Sequence, residues 1–222
     1  MIDPRETLIA TARDMQAAGL NRGTAGNLSQ REGDGFYITP TGMAYAGLTV
    51  DDIPWLAFDG ALKGPSTSLR TGRRQPSSEW RFHRDLYLSR DDIGAVLHAH
   101  SPFAVSLACL RRDIPPFHYM IARFGGDSIR CADYALFGTA ELSAAALTAM
   151  RERKGCLLAN HGLLVTGRDL AEALALAVEL EELCEQYWRA CQLGDPVLLD
   201  AAEMAAVLEK FAGYGQQSGQ PA

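Results

Sequence analysis

The stretch Ile93-Gly94-Ala95-Val96-Leu97-His98-Ala99-His100 decides how the rest of the chain is read. Ile93 to Leu97 is an apolar run of the length of a buried strand, and side chains two apart on a strand project to the same side. His98 and His100 therefore face one point. Further along, Cys156-Leu157-Leu158-Ala159-Asn160-His161-Gly162 places another imidazole at the end of a short apolar run, where Gly162 lets the chain turn. Upstream, Pro76-Ser77-Ser78-Glu79-Trp80 offers a carboxylate. Glu79, His98, His100 and His161 make up a ligand set of the kind that catalytic zinc accepts. Histidines on an apolar strand are also common as hydrogen-bonded core residues, so the pair gains weight only from its company.

That company is a set of loops rich in small residues and hydroxyls. Leu20 to Ser29 reads L-N-R-G-T-A-G-N-L-S, and Ile38 to Gly42 reads I-T-P-T-G. Gly26 and Gly42 would let backbone N–H groups approach an anion, while Thr24, Asn27 and Thr41 add side-chain donors. Phe82 and Leu86 are spaced as on one helix face, which sets Ser77 and Ser78 at a helix N-terminus, where unpaired N–H groups favour a phosphate. Ordinary turn chemistry also selects such residues. No G-x-G-x-x-G or P-loop pattern is present.

The strings L-N-R-G-T-A-G-N-L-S, I-T-P-T-G, P-S-S-E-W-R-F-H, H-A-H, H-Y-M-I-A, C-A-D-Y-A-L-F-G-T-A-E-L-S, N-H-G-L and V-L-E-K-F-A-G-Y-G run in order from Leu20 to Gly215. Together they resemble the class II aldolase/adducin family, with the greatest likeness to its L-fuculose-1-phosphate aldolase members. The resemblance implies a zinc enzyme that cleaves a ketose 1-phosphate into dihydroxyacetone phosphate and a small aldehyde such as lactaldehyde. It implies that Glu79 is both a metal ligand and the base, and that Tyr119 handles the aldehyde oxygen across a subunit interface. Tyr214 would close over the site, and Phe137 would pack against the methyl end of the aldehyde. His83 and His118 are read as structural. A homotetramer with sites at subunit interfaces is also implied. Epimerases of the superfamily carry Asp at the position of Glu79, and adducin-like binding modules lack the ligands, so P-S-S-E-W and the full ligand set favour the aldolase.

Composition agrees. The 222 residues are 47% hydrophobic and 22% charged, as in an ordinary globular protein. The formal net charge of −6 argues against a nucleic-acid or anionic-membrane surface, so an anionic substrate has to be held locally. Five cysteines without a C-x-x-C spacing read as reduced, mostly buried thiols. The N-terminus lacks an apolar signal region and no run of about 18 apolar residues occurs, which makes the cytoplasm the default.

The layout reads as an α/β fold in which helices cover a central, largely antiparallel or mixed sheet as a three-layer α/β/α sandwich. Residues 1–215 form one domain and 216–222 a flexible tail. Asp3, Pro4 and Glu6 start the first helix and Gly19 ends it. Short strands follow between Asn27 and Phe58, then a helix after Ser78, the H-A-H strand, a helix from Ser101 to Leu110 and another from Leu142 to Arg153. Asp169 and Glu172 suggest a capping box for a long helix from Leu170 to Leu193, closed by Gly194. One segment departs from the family pattern. Gly64 to Gln75 is Ser/Thr-rich and basic, with Arg70, Arg73 and Arg74, and reads as a solvated loop rather than a flap over the phosphate.

Overall fold

The computed structural model describes residues 3–63 and 74–212. Tyr214, the tail and most of the basic insertion, including Arg70 and Arg73, lie outside the described residues.

The strands are β1 (Asn27–Glu32), β2 (Gly35–Ile38), β3 (Trp55–Ala57), β4 (Leu62–Lys63), β5 (Ala95–Ala99), β6 (Cys131–Ala132), β7 (Gly155–Leu158) and β8 (Gly162–Gly167). The helices are α1 (Pro4–Ala17), α2 (Trp80–Ser89), α3 (Pro102–Ala108), α4 (Ala140–Ala149), α5 (Leu170–Leu193) and α6 (Ala201–Ala212). The sheet runs β4-β3-β2-β1-β5-β8-β7-β6, antiparallel at every pairing except the parallel β6–β7 edge. It is the mixed sheet expected.

Strand β5 lies inside this sheet, and all five of its residues are buried. Alternation divides it between two cores. Ala95, Leu97 and Ala99 pack with α1, α3 and α5, whereas Val96 joins Phe36, Phe82 and Leu86 under α2 and α4. Helices on both faces give the three-layer sandwich. Burying a leucine such as Leu97 contributes roughly 1.5 to 3 kcal/mol, so two cores sharing one strand pin its register firmly. That register sets which face His98 presents. Its ring meets Phe82 edge-on at 5.7 Å, on the α2 side.

Helix starts follow the caps. Asp3 Oδ1 accepts from Arg5 N at 2.9 Å, and Gly19, at φ 76°, ends the turn after α1. Buried residues of α5 recur at Leu170, Ala173, Leu176, Ala177, Leu180, Leu183 and Cys184, the helical period that lays a stripe against β8. Three expectations need correction. The helix expected over Leu142 to Arg153 starts and stops earlier, because Thr139 supplies the cap by accepting from Leu142 N and the chain leaves the helix after Met150, with Glu152 at φ 58°. The box at Asp169 is half made. Asp169 Oδ1 accepts from Glu172 N at 2.8 Å, but the Glu172 carboxylate turns to Lys154 Nζ and Arg168 N. The cysteines are all free, yet only Cys156 and Cys184 are buried, and Cys109 and Cys191 are exposed.

Candidate active site

Four side chains from three parts of the fold converge on one point. Glu79 is the residue before α2, His98 lies on β5, His100 follows its end, and His161 sits in the turn between β7 and β8. Their ligand atoms all lie within 4.8 Å of one another. The turn at His161 depends on Gly162, where a Cβ would stand 2.2 Å from the Ala99 carbonyl oxygen. Only glycine lets β8 start that close to the end of β5.

The protonation pattern identifies what the cluster can hold. His98 Nδ1 is 2.8 Å from the Leu163 carbonyl oxygen, so it carries the proton and donates. Burial, reinforced by the neighbouring His100, holds the pKa of His98 down to about 3, so Nε2 is a bare lone pair at neutral pH. That lone pair faces Glu79 Oε2 at 3.4 Å and His100 Nε2 at 2.9 Å. Burial likewise lowers His161 to about 4 and lowers His100. Glu79 is 6% exposed, and its Oε1 faces His161 Nε2 at 3.3 Å while accepting no hydrogen bond among the described residues. His98 Nε2 and the Glu79 carboxylate are acceptors turned on one another, and a cation between them would satisfy both. The four residues therefore fit a divalent metal ion, with His98 already oriented by its backbone partner, as metal-binding imidazoles usually are.

Glu79 is held from behind. Asn27 Nδ2 donates to Glu79 Oε2 at 2.9 Å, and the opposite end of the Asn27 amide faces His83. Asn27 pairs with His98 in the β1–β5 register, which is why it lies beside the cluster. The expectation for Asn27 was a phosphate donor. Here its carboxamide is committed to the carboxylate and the imidazole.

The hydroxyl-rich loops meet next to this cluster. Thr39 N donates to Leu28 O at 3.0 Å, Ser77 N to Thr39 O at 3.1 Å, and Thr41 N to Gln75 O at 3.0 Å, which ties the Thr24 to Asn27, Thr41 to Gly42 and Ser77 to Ser78 segments together. Thr24, Thr41, Gly42 and Ser78 are solvent-accessible, and Gly26 is half-buried. Ser77 is buried, and its Oγ accepts from Glu79 N at 3.3 Å. The loop carrying Phe137 comes to the same place, since Gly138, at φ 76°, passes so close to Ser78 that a Cβ would be 2.9 Å from its carbonyl oxygen. Phe137 itself is exposed.

Tyr119 is elsewhere in this chain. It begins a short 3-10 turn, stacks on Phe211 with ring centroids 6.4 Å apart, and lines a cavity with Lys154 and Glu172. Lys154 precedes β7 and His161 follows it, so Tyr119 lies toward the opposite end of that strand from the cluster. His118 Nδ1 accepts from Met120 N at 3.2 Å and caps the turn, the structural role expected for it. Arg74 does not turn to the loops that would take a phosphate. Its Nε pairs with Asp52 Oδ1 at 2.8 Å.

Asn21 was missed. Its side chain is buried over Gly26 and its Oδ1 accepts from His100 N at 2.9 Å, which fixes the backbone at a ligand. An Asn ahead of a glycine-rich loop reads as turn chemistry, and the partner 79 residues away gives no local signal.

A mixed sheet under two helical layers, with three imidazoles and a buried carboxylate at the strand ends beside hydroxyl-rich loops, has the build of an enzyme for a small anionic substrate. The sequence model of the Class II Aldolase and Adducin N-terminal domain matches residues 6–188, and the chain belongs to that family. It is 54% identical over 217 residues to a 5-methylthioribulose-1-phosphate/5-deoxyribulose-1-phosphate aldolase of Rhodospirillum rubrum, covering 98% of this chain and 95% of the relative. It is 46% identical over 209 residues to the L-fuculose phosphate aldolase of Escherichia coli, covering 94% of each. A solved L-fuculose 1-phosphate aldolase superposes with a TM-score of 0.88 at 38% identity, over 96% of this chain and 97% of that one. The chain is a class II aldolase, a carbon–carbon lyase.

Proposed function

We propose that this aldolase cleaves ketose 1-phosphates that yield dihydroxyacetone phosphate and a small aldehyde ending in a methyl group. 5-Methylthioribulose 1-phosphate and 5-deoxyribulose 1-phosphate are the favoured substrates and L-fuculose 1-phosphate a close analogue. The three would release (methylthio)acetaldehyde, acetaldehyde and lactaldehyde. The observation that carries the reading is the Glu79, His98, His100 and His161 cluster beside Ser77 and Ser78, in a chain 54% identical to an aldolase named for the first two substrates.

Glu79, His98, His100 and His161 would hold the metal, for which zinc suits the donor set. When bound, it supplies Lewis-acid polarisation of the substrate's carbonyl, where negative charge develops. The remaining work belongs to the chain. Thr24, Thr41, the Gly26, Asn27 and Gly42 backbone, Ser77 and Ser78 form a neutral cradle for the phosphate. Glu79, freed from its ligand role, exchanges the proton on the carbon next to the ketone, returning it in the cleavage direction. Tyr119 of a neighbouring subunit exchanges the proton of the departing aldehyde's oxygen, with Tyr214 closing the site. Phe137, together with exposed Leu136, gives the methyl end an apolar wall. The assembly is a homotetramer in the cytoplasm. Among the described residues no helix is long and apolar enough to cross a membrane.

The test is kcat/KM on a panel of ketose 1-phosphates. The reading expects the two 5-substituted ribulose phosphates to lead, with L-fuculose 1-phosphate next. A preference for a ketose whose last carbon bears a hydroxyl or a charge would overturn it.

A further inference from the structure

Behind Glu79 lies a buried chain of polar groups that the chemistry above does not use. Asn27 and Ser29 lie two apart on β1, and His83 and Tyr87 four apart on α2, so each pair shares a face. The faces meet. Asn27 Nδ2 is 2.9 Å from Glu79 Oε2, Asn27 Oδ1 is 2.5 Å from His83 Nε2, His83 Nδ1 is 2.7 Å from Ser29 Oγ, and Ser29 Oγ is 2.7 Å from Tyr87 Oη. Asn27, Ser29, His83 and Tyr87 are each no more than 3% exposed.

Each donor in this chain is fixed by the one before it. An ionised carboxylate only accepts, so Asn27 gives it the N–H. Asn27 Oδ1 must then accept, and His83 Nε2 carries the proton. Burial holds His83 neutral, so it has one N–H and its Nδ1 accepts from the Ser29 hydroxyl. Ser29 has then spent its only hydrogen, and Tyr87 donates to it. If any link is reversed, two acceptors face each other in a dry interior, where an unsatisfied polar group is costly.

We propose that Ser29, His83 and Tyr87 are positioning residues: with the direction set by the Glu79 carboxylate, the Ser29 and Tyr87 hydroxyls satisfy His83 Nδ1 and hold the ring so that its Nε2–H keeps the Asn27 amide with its N–H on Glu79. With His83 protonated on Nδ1 instead, its bare Nε2 would face Asn27 Oδ1, and the amide would lose the contact that holds its N–H on Glu79. The inference rests on the reading of Glu79 as the base.

Two measurements on the metal-loaded enzyme test it. Long-range proton–nitrogen-15 spectra are expected to show His83 protonated on Nε2 and bare on Nδ1 at neutral pH. Ser29→Ala leaves His83 Nδ1 without its donor, loosens the ring that holds Asn27, and is expected to lower kcat roughly ten- to hundredfold, the usual cost of losing a partner behind a ligand. KM and metal content should stay at wild-type values, and Ser29→Thr, which keeps the hydroxyl, should restore kcat. A His83 found protonated on Nδ1 overturns the proposal, as does Ser29→Ala at wild-type kcat or a loss that Ser29→Thr fails to repair. Failure of the underlying reading has a different signature: the His83 spectrum stays as expected while Glu79→Gln exchanges substrate protons at the wild-type rate, which removes the positioning role along with the base.

Discussion

Glu79 Oε2 and His98 Nε2 stand 3.4 Å apart, one a carboxylate oxygen and the other a ring nitrogen whose proton is on the far side, bonded to Leu163 O. The pair comes from a helix start and a strand, held together because α2 packs over β5 through Phe82. Its consequences can be tested separately from those of the substrate assignment.

Base and acid separate by reaction step. Glu79→Gln keeps size and removes basicity, so exchange of the hydrogen next to the ketone of dihydroxyacetone phosphate with deuterated water should fall at least 100-fold, within the range of general-base contributions of roughly 10² to 10⁴. Tyr119→Phe should leave that exchange intact and slow cleavage. If Glu79→Gln exchanges normally while cleavage fails, the two assignments are wrong.

Acid should destabilise the metal-free protein. Burial holds the pKa of His98 near 3 and that of His161 near 4, against 6.5 for an exposed imidazole. As pH falls below about 6.5 the unfolded chain takes up protons that the folded site refuses, so stability declines through the window from 6.5 to those lower values. The chelated protein should melt at a lower temperature at about pH 5 than at about pH 7.5. A Tm that stays level or rises on acidification contradicts the neutral-imidazole assignment.

Gly162→Ala forces a Cβ to 2.2 Å from the Ala99 carbonyl oxygen. Overpacking of this kind costs about 1 to 3 kcal/mol, and here it shifts the turn that carries His161. Denaturant unfolding should show that loss together with weaker metal retention. Wild-type stability would mean that β8 starts farther from β5.

The basic insertion should be neutral to chemistry. Arg74 pairs with Asp52, and that bridge is partly exposed, worth about 0 to 1 kcal/mol. Arg74→Ala should therefore leave KM for phosphorylated substrates unchanged, as should shortening 64–73, because loop length costs little. A large KM increase that fades with added salt would place these arginines on the phosphate.

The parts legible in the sequence carry short-range signals. The H-x-H pair on an apolar run, the Asp3-Pro4 start of α1 and the periodic stripe of α5 each depend on neighbours within a few residues. Ligand chemistry joined Glu79 and His161 to that pair, the family resemblance supported the grouping, and the fold places the four within 4.8 Å. What stayed hidden depends on distant contacts. That the Asn27 side chain bonds Glu79 was hidden because nothing near it in sequence shows that β1 lies against β5. Asn21 and the Ser29–His83 link were hidden for the same reason, and the early start of α4 was hidden because its Thr139 cap lies ahead of the Leu142 start that propensity suggested.

The central claim is that Glu79, His98, His100 and His161 hold one catalytic metal. Metal content and cleavage activity should be followed together as the protein is stripped with a strong chelator and reloaded with zinc. Activity should vanish on stripping and return in proportion to bound metal, saturating at about one ion per chain, while His98→Ala and His100→Ala neither bind nor recover. Full cleavage by a stripped preparation, or by His98→Ala without metal, would contradict the account.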